Sequence, residues 1–368
     1  MRPRRCLSEP LRSHAIPGLH TTRGALAAAV CLLAEHGVAA QETPAATVAD
    51  SIASEIRTVF ERAKKSVVRI EATDDLGQLS GTGFFIDPAG TLYTSYSIGG
   101  DTWDIVVHSG ERKLPARRVF ADRGSGVAVL TVDAETPFIP VGKSDTLTIG
   151  SPVVAVGYPM DFPVSPSFGT IAGFDIKASG RHFATRHIRS NLPVQRGQGG
   201  APVLNMQGEA VGILIASIDK GSACFTLPID AAEKLRKDYV RFGALRPGWM
   251  GVGIEPATSQ VAGSTAEISM LNVGSPGAKA GLRSGDVILQ INDHLISSPE
   301  DVLNAAFFIS AEDEVRITVA RGDEKLDFHI VAGNKPATSA RTAGDVPTFV
   351  PGSADDLRGG PMRLEEGR

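Results

Sequence analysis

Serine and histidine side chains that could pair as a nucleophile and its base are spread over the middle of the chain. They are Ser95, Ser97, Ser125, His108, His182 and His187. A serine hydroxyl attacks a carbonyl carbon only when a base takes its proton and another group fixes the tautomer of that base. His108 follows a predicted strand, which favours a surface or edge position. His182 and His187 flank a predicted hairpin, so the spacing favours no particular Ser-His pair and leaves an unusual one open.

A thiol is the other nucleophile to consider. The cysteines are Cys6, Cys31 and Cys224. The first two lie in an N-terminal segment that we expect to be removed, and one remaining cysteine cannot form an internal disulfide. Cys224 lies in an apolar run with no histidine nearby in the sequence. We therefore predict a packed thiol rather than a nucleophile at this position.

The composition is that of a soluble globular protein. The 368 residues are 42% hydrophobic and 21% charged, and the formal net charge is −4. This length allows two or three domains. The 40 glycines and 23 prolines favour a turn-rich, mainly β architecture. Nothing indicates the basic face of a nucleic-acid-binding protein, and no metal or cofactor is predicted.

Residues 1–40 have the pattern of a signal peptide. Several arginines precede the apolar run 24–34, and the segment ends with Val38-Ala39-Ala40 before Gln41. The apolar run is about half of the ~20 residues that span a bilayer. An uncleaved anchor and a start codon placed too early are the alternatives. We predict export to the periplasm or cell envelope, with no membrane span after removal of the segment.

The rest of the chain divides into four parts. Residues 41–65 contain a predicted amphipathic helix, with Val48, Ile52, Ile56, Val59 and Phe60 at helical spacing. Residues 66–243 carry short apolar runs separated by turn residues, which favour an all-β barrel or sandwich, and a closing helix at 229–240. Residues 246–333 mix short strands with helical stretches near 277–280 and 299–309. Residues 334–368 have almost no apolar periodicity, which predicts a disordered tail.

Three segments of the β-rich part resemble the HtrA/DegP serine proteases. Residues 81–94, GTGFFIDPAGTLYT, are similar to the family pattern G-S-G-F-I-I-D-x-x-G-x-I-L-T. Residues 122–130, DRGSGVAVL, resemble D-x-x-S-D-I-A-V-L, and residues 195–205, QRGQGGAPVLN, resemble N-x-G-N-S-G-G-P-L-x-N. The resemblance implies a trypsin-like double β-barrel in an HtrA-type chain.

The same alignment places other residues at the three catalytic positions of the family. Ser97 stands where the general-base histidine belongs, Gly126 where the orienting aspartate belongs, and Gly199 where the nucleophilic serine belongs. The framework residues match without gaps on both sides, so no shift of the alignment recovers the triad. Losing one triad member costs several orders of magnitude in rate, and here all three differ. No catalytic residue is therefore predicted.

The glycine loop could retain a polar function without catalysis. In the family, the backbone amides at the positions of Gly197 and Gly199 form the oxyanion hole. The loop Gly197, Gly199 and Gly200 could hold a carboxylate or a peptide carbonyl. The alternative, which the sequence favours, is a tight turn that requires the backbone freedom of glycine.

Residues 246–333 resemble the PDZ domain of the HtrA family. Residues 273–292, VGSPGAKAGLRSGDVILQIN, resemble the pattern V-x-x-x-S-P-A-x-x-A-G-L-x-x-G-D-V-I-x-x-I-N, apart from two fewer residues between the valine and the S-P pair. The resemblance implies an α+β domain that binds a peptide as an added strand. It also places a carboxylate-binding loop at Trp249, Met250, Gly251 and Val252, and a groove wall on the helix through Val302 and Ala306. A PDZ fold that only packs on the barrel is the alternative, and Trp249 could contact either a ligand or the barrel.

These observations predict a mainly β protein, a trypsin-like double β-barrel followed by one α+β PDZ domain. The leading hypothesis is an exported pseudoprotease that binds peptide C-termini or unfolded proteins, or an active HtrA relative, in envelope quality control. An active serine endopeptidase with a displaced triad is one alternative. The other is a structural subunit of an HtrA-type oligomer, such as a homotrimer, with Phe60 as a contact.

Overall fold

The computed structural model describes residues 44–160, 162–178, 181–218 and 223–334. The predicted signal peptide, together with Cys6 and Cys31, and all but the first residue of the predicted tail lie outside these ranges. None of the described helices is long and apolar enough to cross a membrane.

The first helix confirms the amphipathic pattern. Helix α1 covers Pro44–Ala63. Val59 and Ala63 are buried in the core, and Ile56 and Phe60 pack against it. Ile52 is 42% exposed, so the apolar stripe is only partly covered. Phe60, which we predicted as an oligomer contact, thus packs at least partly against the core of its own chain.

Six strands form the first closed barrel, in the order β1-β2-β3-β6-β5-β4. They are β1 (Val67–Asp74), β2 (Gly77–Phe85), β3 (Thr91–Ser95), β4 (Trp103–Ser109), β5 (Arg112–Asp122) and β6 (Val127–Val132), and the short helix α2 (Tyr96–Gly99) follows β3. All neighbouring pairs are antiparallel. The predicted apolar runs at 67–70, 83–86, 105–107 and 127–130 fall on these strands, apart from Ile86, which follows β2, because alternate side chains must enter the barrel core.

A second closed barrel follows, in the order β10-β11-β12-β9-β8-β7. Its strands are β7 (Pro152–Gly157), β8 (Ser165–Ala178), β9 (Arg181–Ser190), β10 (Pro202–Leu204), β11 (Ala210–Ile218) and β12 (Ala223–Pro228). Helix α3 (Ile229–Phe242) closes the unit, as predicted, and ends at Gly243 in the left-handed conformation. Residues from both barrels share one core cluster, so their facing surfaces are packed together.

The last part of the chain is a six-stranded sheet with two helices and a separate two-stranded ribbon. The sheet order is β14-β15-β16-β18-β19, with β17 beside β16, and the ribbon pairs β13 with β20. The elements are β13 (Gly248–Trp249), β14 (Val252–Val261), β15 (Ser264–Leu271), α4 (Pro276–Ala280), β16 (Val287–Ile291), β17 (His294–Leu295), α5 (Pro299–Phe307), β18 (Glu314–Arg321), β19 (Glu324–Val331) and β20 (Gly333–Asn334). Strand β14 is an edge strand of this sheet. The mainly β prediction is confirmed.

Candidate functional site

Two serine hydroxyls lie where strand β3 passes into helix α2. Ser95 ends the strand and is fully buried, whereas Ser97, in the first turn of the helix, is partly exposed. Their Oγ atoms are 2.9 Å apart and form a hydrogen bond. The position that aligns with the family's general base therefore holds a hydroxyl bonded to a second hydroxyl. Neither group accepts a proton near neutral pH, so this pair cannot activate a nucleophile.

The glycine loop before β10 is fastened to both barrels. Gly200 donates its N–H to the Leu214 carbonyl at 2.7 Å. Thr82 of the first barrel donates its N–H to the Gly199 carbonyl at 2.9 Å and its hydroxyl to the Gly197 carbonyl at 2.7 Å. A Cβ atom on Gly200 would lie 2.2 Å from the Thr82 carbonyl oxygen, and its φ is +87°. The loop thus requires glycine at 200, as the tight-turn interpretation expects.

Position 199 is different, because it has room for a side chain. Its φ is not in the left-handed range, and a Cβ atom there would lie 3.3 Å from Ser95 Oγ and 3.9 Å from Ser97 Oγ. The structure therefore brings Gly199 and Ser97 together, as the alignment predicts. Among the described residues, the amides of Gly197 and Gly199 donate no hydrogen bond to the chain. The site offers N–H and O–H donors to a carbonyl or anionic oxygen, but no base.

The third aligned position, Gly126, is closed in the sense that it has no space for a side chain. Its φ is +79°, and a Cβ atom would lie 2.5 Å from Cγ2 of Ile215. Ile215, on β11, is 4% exposed and belongs to the core cluster between the barrels. Sequence reasoning missed Ile215, because no motif links it to Gly126 and its apolar run predicts only a strand. An aspartate at 126 would need both a strained backbone and displacement of this side chain.

The three barrel histidines that the structure describes do not form a replacement dyad with these serines. His108 lies on β4 and its Nε2 is 2.9 Å from a carboxylate oxygen of Glu71. His182 and His187 do not flank a hairpin as predicted, because both lie on β9, which pairs with β8. His182 is exposed, whereas His187 is buried.

His187 connects the second barrel to the turn that contains Gly126. Its ring stacks on Phe183 with centroids 4.1 Å apart, and Nδ1 lies 2.9 Å from the Thr185 carbonyl oxygen. The ring also makes a hydrogen bond with the backbone of Ser125. Burial lowers the pKa of His187 to about 4, outweighing these two hydrogen bonds, which raise it. The ring is thus a neutral, structural contact at neutral pH.

Cys224 is a packed thiol, as predicted. It is fully buried in the second barrel, and its Sγ donates a hydrogen bond to the Leu192 carbonyl at 3.0 Å. Burial raises the pKa of Cys224 to about 11, so the reactive thiolate is not populated near neutral pH.

The predicted carboxylate-binding loop is held in a fixed conformation. The Met250 carbonyl accepts a hydrogen bond from Gly277 N, and the Gly251 carbonyl accepts one from Asn272 N, both at 2.9 Å. Gly251 has φ +74°, and a Cβ atom there would lie 2.2 Å from Ser275 Cβ. In the part of the chain that the structure describes, the amides of Met250 and Gly251 donate to no other residue. Two N–H groups are therefore free to bind a ligand oxygen.

The side chains around this loop are arranged differently from the sequence expectation. Met250 and Val302 are 6% and 3% exposed and belong to the core of the sheet domain, whereas Val252 and Ala306 are partly buried against that core. Trp249 lies on β13, and its ring is near Gly251 and Gly333. Leu303, which sequence reasoning missed, is 49% exposed and three residues before Ala306 on α5. Its side chain is thus more exposed than those of Val302 and Ala306 on the same helix.

Another face of α5 is attached to the second barrel. The side-chain oxygen of Asn304 accepts hydrogen bonds from Thr185 Oγ1 at 2.8 Å and Arg186 N at 2.9 Å. The Arg186 guanidinium also forms an ion pair with Asp301 at 2.6 Å. Burial alone would raise the pKa of Asp301, but hydrogen bonds from Ser297 and Arg186 outweigh it and lower that pKa. The groove wall is therefore held against strand β9.

A second contact joins helix α3 to the loop after α5. Lys234 and Asp238 form a buried ion pair, with Nζ 2.8 Å from Oδ2. Ser310 donates its hydroxyl to Asp238, and Arg241 pairs with Asp313 at 2.8 Å. The last domain is thus fixed to the second barrel at two places.

Replacing Asn304 tests the first of these contacts. Asn304→Ala leaves the Thr185 hydroxyl and the Arg186 N–H without their acceptor, which costs about 1–3 kcal/mol when such donors are buried. We expect a lower melting temperature and faster amide hydrogen exchange in β9 and α5. Leu303→Ala, on the exposed face of the same helix, is the control and should change neither. Equal melting temperatures for Asn304→Ala and the unmodified protein would show that the contact contributes nothing.

The chain is similar in sequence to two domain profiles and to several curated proteins. Residues 81–213 match the profile of the trypsin-like peptidase domain, and residues 248–331 match that of the PDZ domain. Curated relatives from Halomonas elongata and Rhizobium meliloti, both named probable periplasmic serine endoprotease DegP-like, are each 28% identical. The alignments cover 74% and 72% of this chain but 60% and 55% of those proteins. The chain therefore spans little more than half the length of these relatives, whose names agree with the predicted periplasmic location.

Solved structures share the fold. The HtrA-type protease AlgW, determined with a tripeptide, has a TM-score of 0.66 and 22% identity over 77% of this chain and 98% of its own. The serine endoprotease from Yersinia pestis has a TM-score of 0.57 and 22% identity over 76% of this chain and 98% of its own. Together, the two domain profiles show a trypsin-like peptidase domain followed by a PDZ domain, and the relatives and solved structures to which the chain is similar are DegP-like and HtrA-type proteases.

Proposed function

We propose that this protein is a non-catalytic member of the HtrA type that binds peptide segments through its PDZ domain. The observation that carries the proposal is the state of the three aligned catalytic positions. Ser97 and Gly199 provide neither base nor nucleophile, and Ile215 occupies the space beside Gly126. The framework around them is nevertheless formed, with the glycine loop bonded to both barrels.

The PDZ domain supplies the features that peptide binding requires. The loop at 250–251 has unbonded amides among the described residues, and β14 is a sheet edge beside α5. A peptide can add to such an edge through main-chain hydrogen bonds while loop amides bind its terminal carboxylate. Val252, Ala306 and Leu303 provide partly exposed apolar surface for its side chains. A related HtrA-type protease has been determined with a tripeptide, which agrees with this proposal.

The proposed role is that of a scaffold or regulator in envelope protein quality control. Its ligands would be exposed peptide C-termini, unfolded proteins or an active HtrA relative. A homotrimer stays a prediction from the resemblance. An active endopeptidase would need a base within reach of a serine, and the geometry of the described histidines does not favour this alternative.

Assays of cleavage, serine labelling and peptide binding on the purified protein test the proposal. Casein and fluorogenic peptides should remain uncleaved, and a fluorophosphonate probe should label no serine. Peptides with a free C-terminal carboxylate should bind, whereas the same peptides with an amidated C-terminus should bind more weakly. Cleavage abolished by a substitution within this chain's own barrels would overturn the absence of catalysis.

A glycine pair provides a matched test of the binding loop. Gly251→Ala should weaken binding of a free-carboxylate peptide about tenfold or more, because the new Cβ would collide with Ser275 and displace the loop amides. Gly274 has the same φ of +74° but no atom within 4 Å of an added Cβ. Gly274→Ala therefore has a similar backbone strain without the collision, and should bind like the unmodified protein. Equal affinities for both variants, measured by fluorescence polarisation, would argue against this loop as the carboxylate site.

A further inference from the structure

The edge of the PDZ sheet carries a proline whose position limits how much of a ligand can be bound as a strand. Strand β14 is paired on one side only, with β15. In an antiparallel strand, alternate residues direct their N–H and C=O groups to opposite sides. The residues of β14 that face away from β15 are therefore the ones that would pair with an added peptide.

The register identifies these outward-facing residues. The Gly251 carbonyl bonds to Asn272 N on the β15 side, which directs the backbone groups of Val252 away from β15. The Ile268 N–H bonds to the Asp286 carbonyl on the β16 side, so its partner Ile254 also faces outward. By the same alternation, Glu255 faces β15 opposite Glu267, and Pro256, opposite Ala266, faces the open edge.

Proline has no N–H to donate, so the open edge loses a donor at position 256. The β14–β15 ladder is unaffected, since position 256 directs no backbone group toward β15. A peptide whose carboxylate lies at the amides of residues 250 and 251 places its last residue beside Val252. Its third-last residue lies beside Ile254 and its fifth-last beside Pro256, because pairing advances two residues at a time on both strands.

We propose that Pro256 restricts recognition to about the last four residues of a C-terminal peptide. Val252 and Ile254 each offer a donor and an acceptor to the ligand, whereas the carbonyl of the fifth-last ligand residue faces a proline ring. The inference rests on the proposed peptide-binding function. It adds that the ligands of this protein are short, accessible C-terminal ends, so a longer extended segment gains nothing from its additional residues.

A nested peptide series tests this on the full chain. The probes are N-acetylated peptides of three to seven residues that share the C-terminal sequence Ala-Val-Phe and are extended with alanine. Isothermal titration calorimetry should show an affinity that rises up to four residues and then stays constant. With Pro256→Ala, the five- to seven-residue peptides should bind about two- to tenfold more tightly, the value of one recovered backbone hydrogen bond, and the tripeptide should bind unchanged.

Glu255→Ala is the matched control, because its N–H faces β15 and its replacement should leave the length dependence as it was. An affinity that keeps rising from the fourth to the seventh residue in the unmodified protein would overturn the role of Pro256 while leaving peptide binding intact. Identical length profiles for Pro256→Ala and the unmodified protein would also overturn it. Absence of binding by every peptide in all three proteins would instead reject the proposed function and this inference with it.

Discussion

A protein carrying Ser97→His and Gly199→Ser should fold normally, label with a fluorophosphonate probe weakly at most, and cleave peptides about 10⁴-fold more slowly than an intact triad. The serine can be accommodated, because a Cβ at position 199 would lie 3.9 Å from Ser97 Oγ and 3.3 Å from Ser95 Oγ, which would need to move by only a few tenths of an ångström. The imidazole would still lack a carboxylate to fix its tautomer. Gly199→Ala, which fills the same space without a hydroxyl, is the control for labelling and turnover.

Adding Gly126→Asp should destabilise the protein instead of completing the triad. A non-glycine residue at φ +79° costs about 1–2 kcal/mol, and forcing atoms into a packed core costs about 1–3 kcal/mol more. The atom in the way is Cγ2 of Ile215, 2.5 Å from the new Cβ. A lower midpoint in urea denaturation, with an unchanged slope, would measure this loss.

Ile215→Ala separates the two causes. In the Gly126→Asp background, Ile215→Ala should restore the part of the free energy of unfolding that is lost to the collision. The part that is lost to backbone strain at position 126 should not be restored. The cavity cost of Ile215→Ala itself must be measured in the unmodified protein, so that a double-mutant cycle gives the coupling between the two positions. If Gly126→Asp alone unfolds at the same urea concentration as the unmodified protein, position 126 is not closed. Building the family's triad into this chain would then need only Ser97→His, Gly126→Asp and Gly199→Ser.

Much of this architecture could be predicted from local patterns. The apolar runs at 127–130, 153–156 and 211–215 fall on strands β6, β7 and β11, because a barrel strand must bury alternate side chains. Helices α1 and α3 follow their apolar spacing. The alignment of Ser97 and Gly199 with the family's catalytic positions follows from the framework residues on either side of each. The structure places these two residues next to each other.

The closed state of position 126 could not be predicted in this way. The collision with Ile215 depends on how strand β11 packs against the turn before β6, and these segments are far apart in the sequence. The difference between Val302 and Leu303 has a similar origin. Both are apolar and adjacent, and only the rotation of α5 between its own sheet and strand β9 decides that Val302 is buried and Leu303 exposed.

The stability of this protein should fall as the pH drops from about 6.5 to about 4, and His187 should account for a large part of that fall. The unfolded histidine has a pKa near 6.5, whereas burial lowers the pKa of folded His187 to about 4. Between these values the unfolded chain binds a proton that the folded chain does not, so the free energy of unfolding decreases by about 1.4 kcal/mol per pH unit. Over the whole interval the loss amounts to about 3 kcal/mol, with no further contribution below pH 4.

Urea denaturation at several pH values between 7 and 4.5 measures this dependence. His187→Phe keeps an aromatic ring against Phe183 but cannot titrate, so its stability should change less over the interval, even if it starts lower at pH 7. His182→Phe, at an exposed position of the same strand, should leave the pH dependence unaltered. The same pH dependence in His187→Phe and the unmodified protein would mean that His187 titrates normally in the fold.

The location of His187 determines which parts of the fold should loosen first when the pH is lowered. Its ring bonds to the backbone of Ser125, beside Gly126, and to Thr185, whose hydroxyl donates to Asn304 of the PDZ helix. A charged ring that leaves its buried position would therefore loosen both the turn at 126 and the strand that holds α5. Amide exchange at pH 5 should accordingly increase in β9 and in the turn before β6, and less in the sheet of the PDZ domain. Uniform acceleration across both domains would instead indicate that acid weakens the whole fold and not this contact.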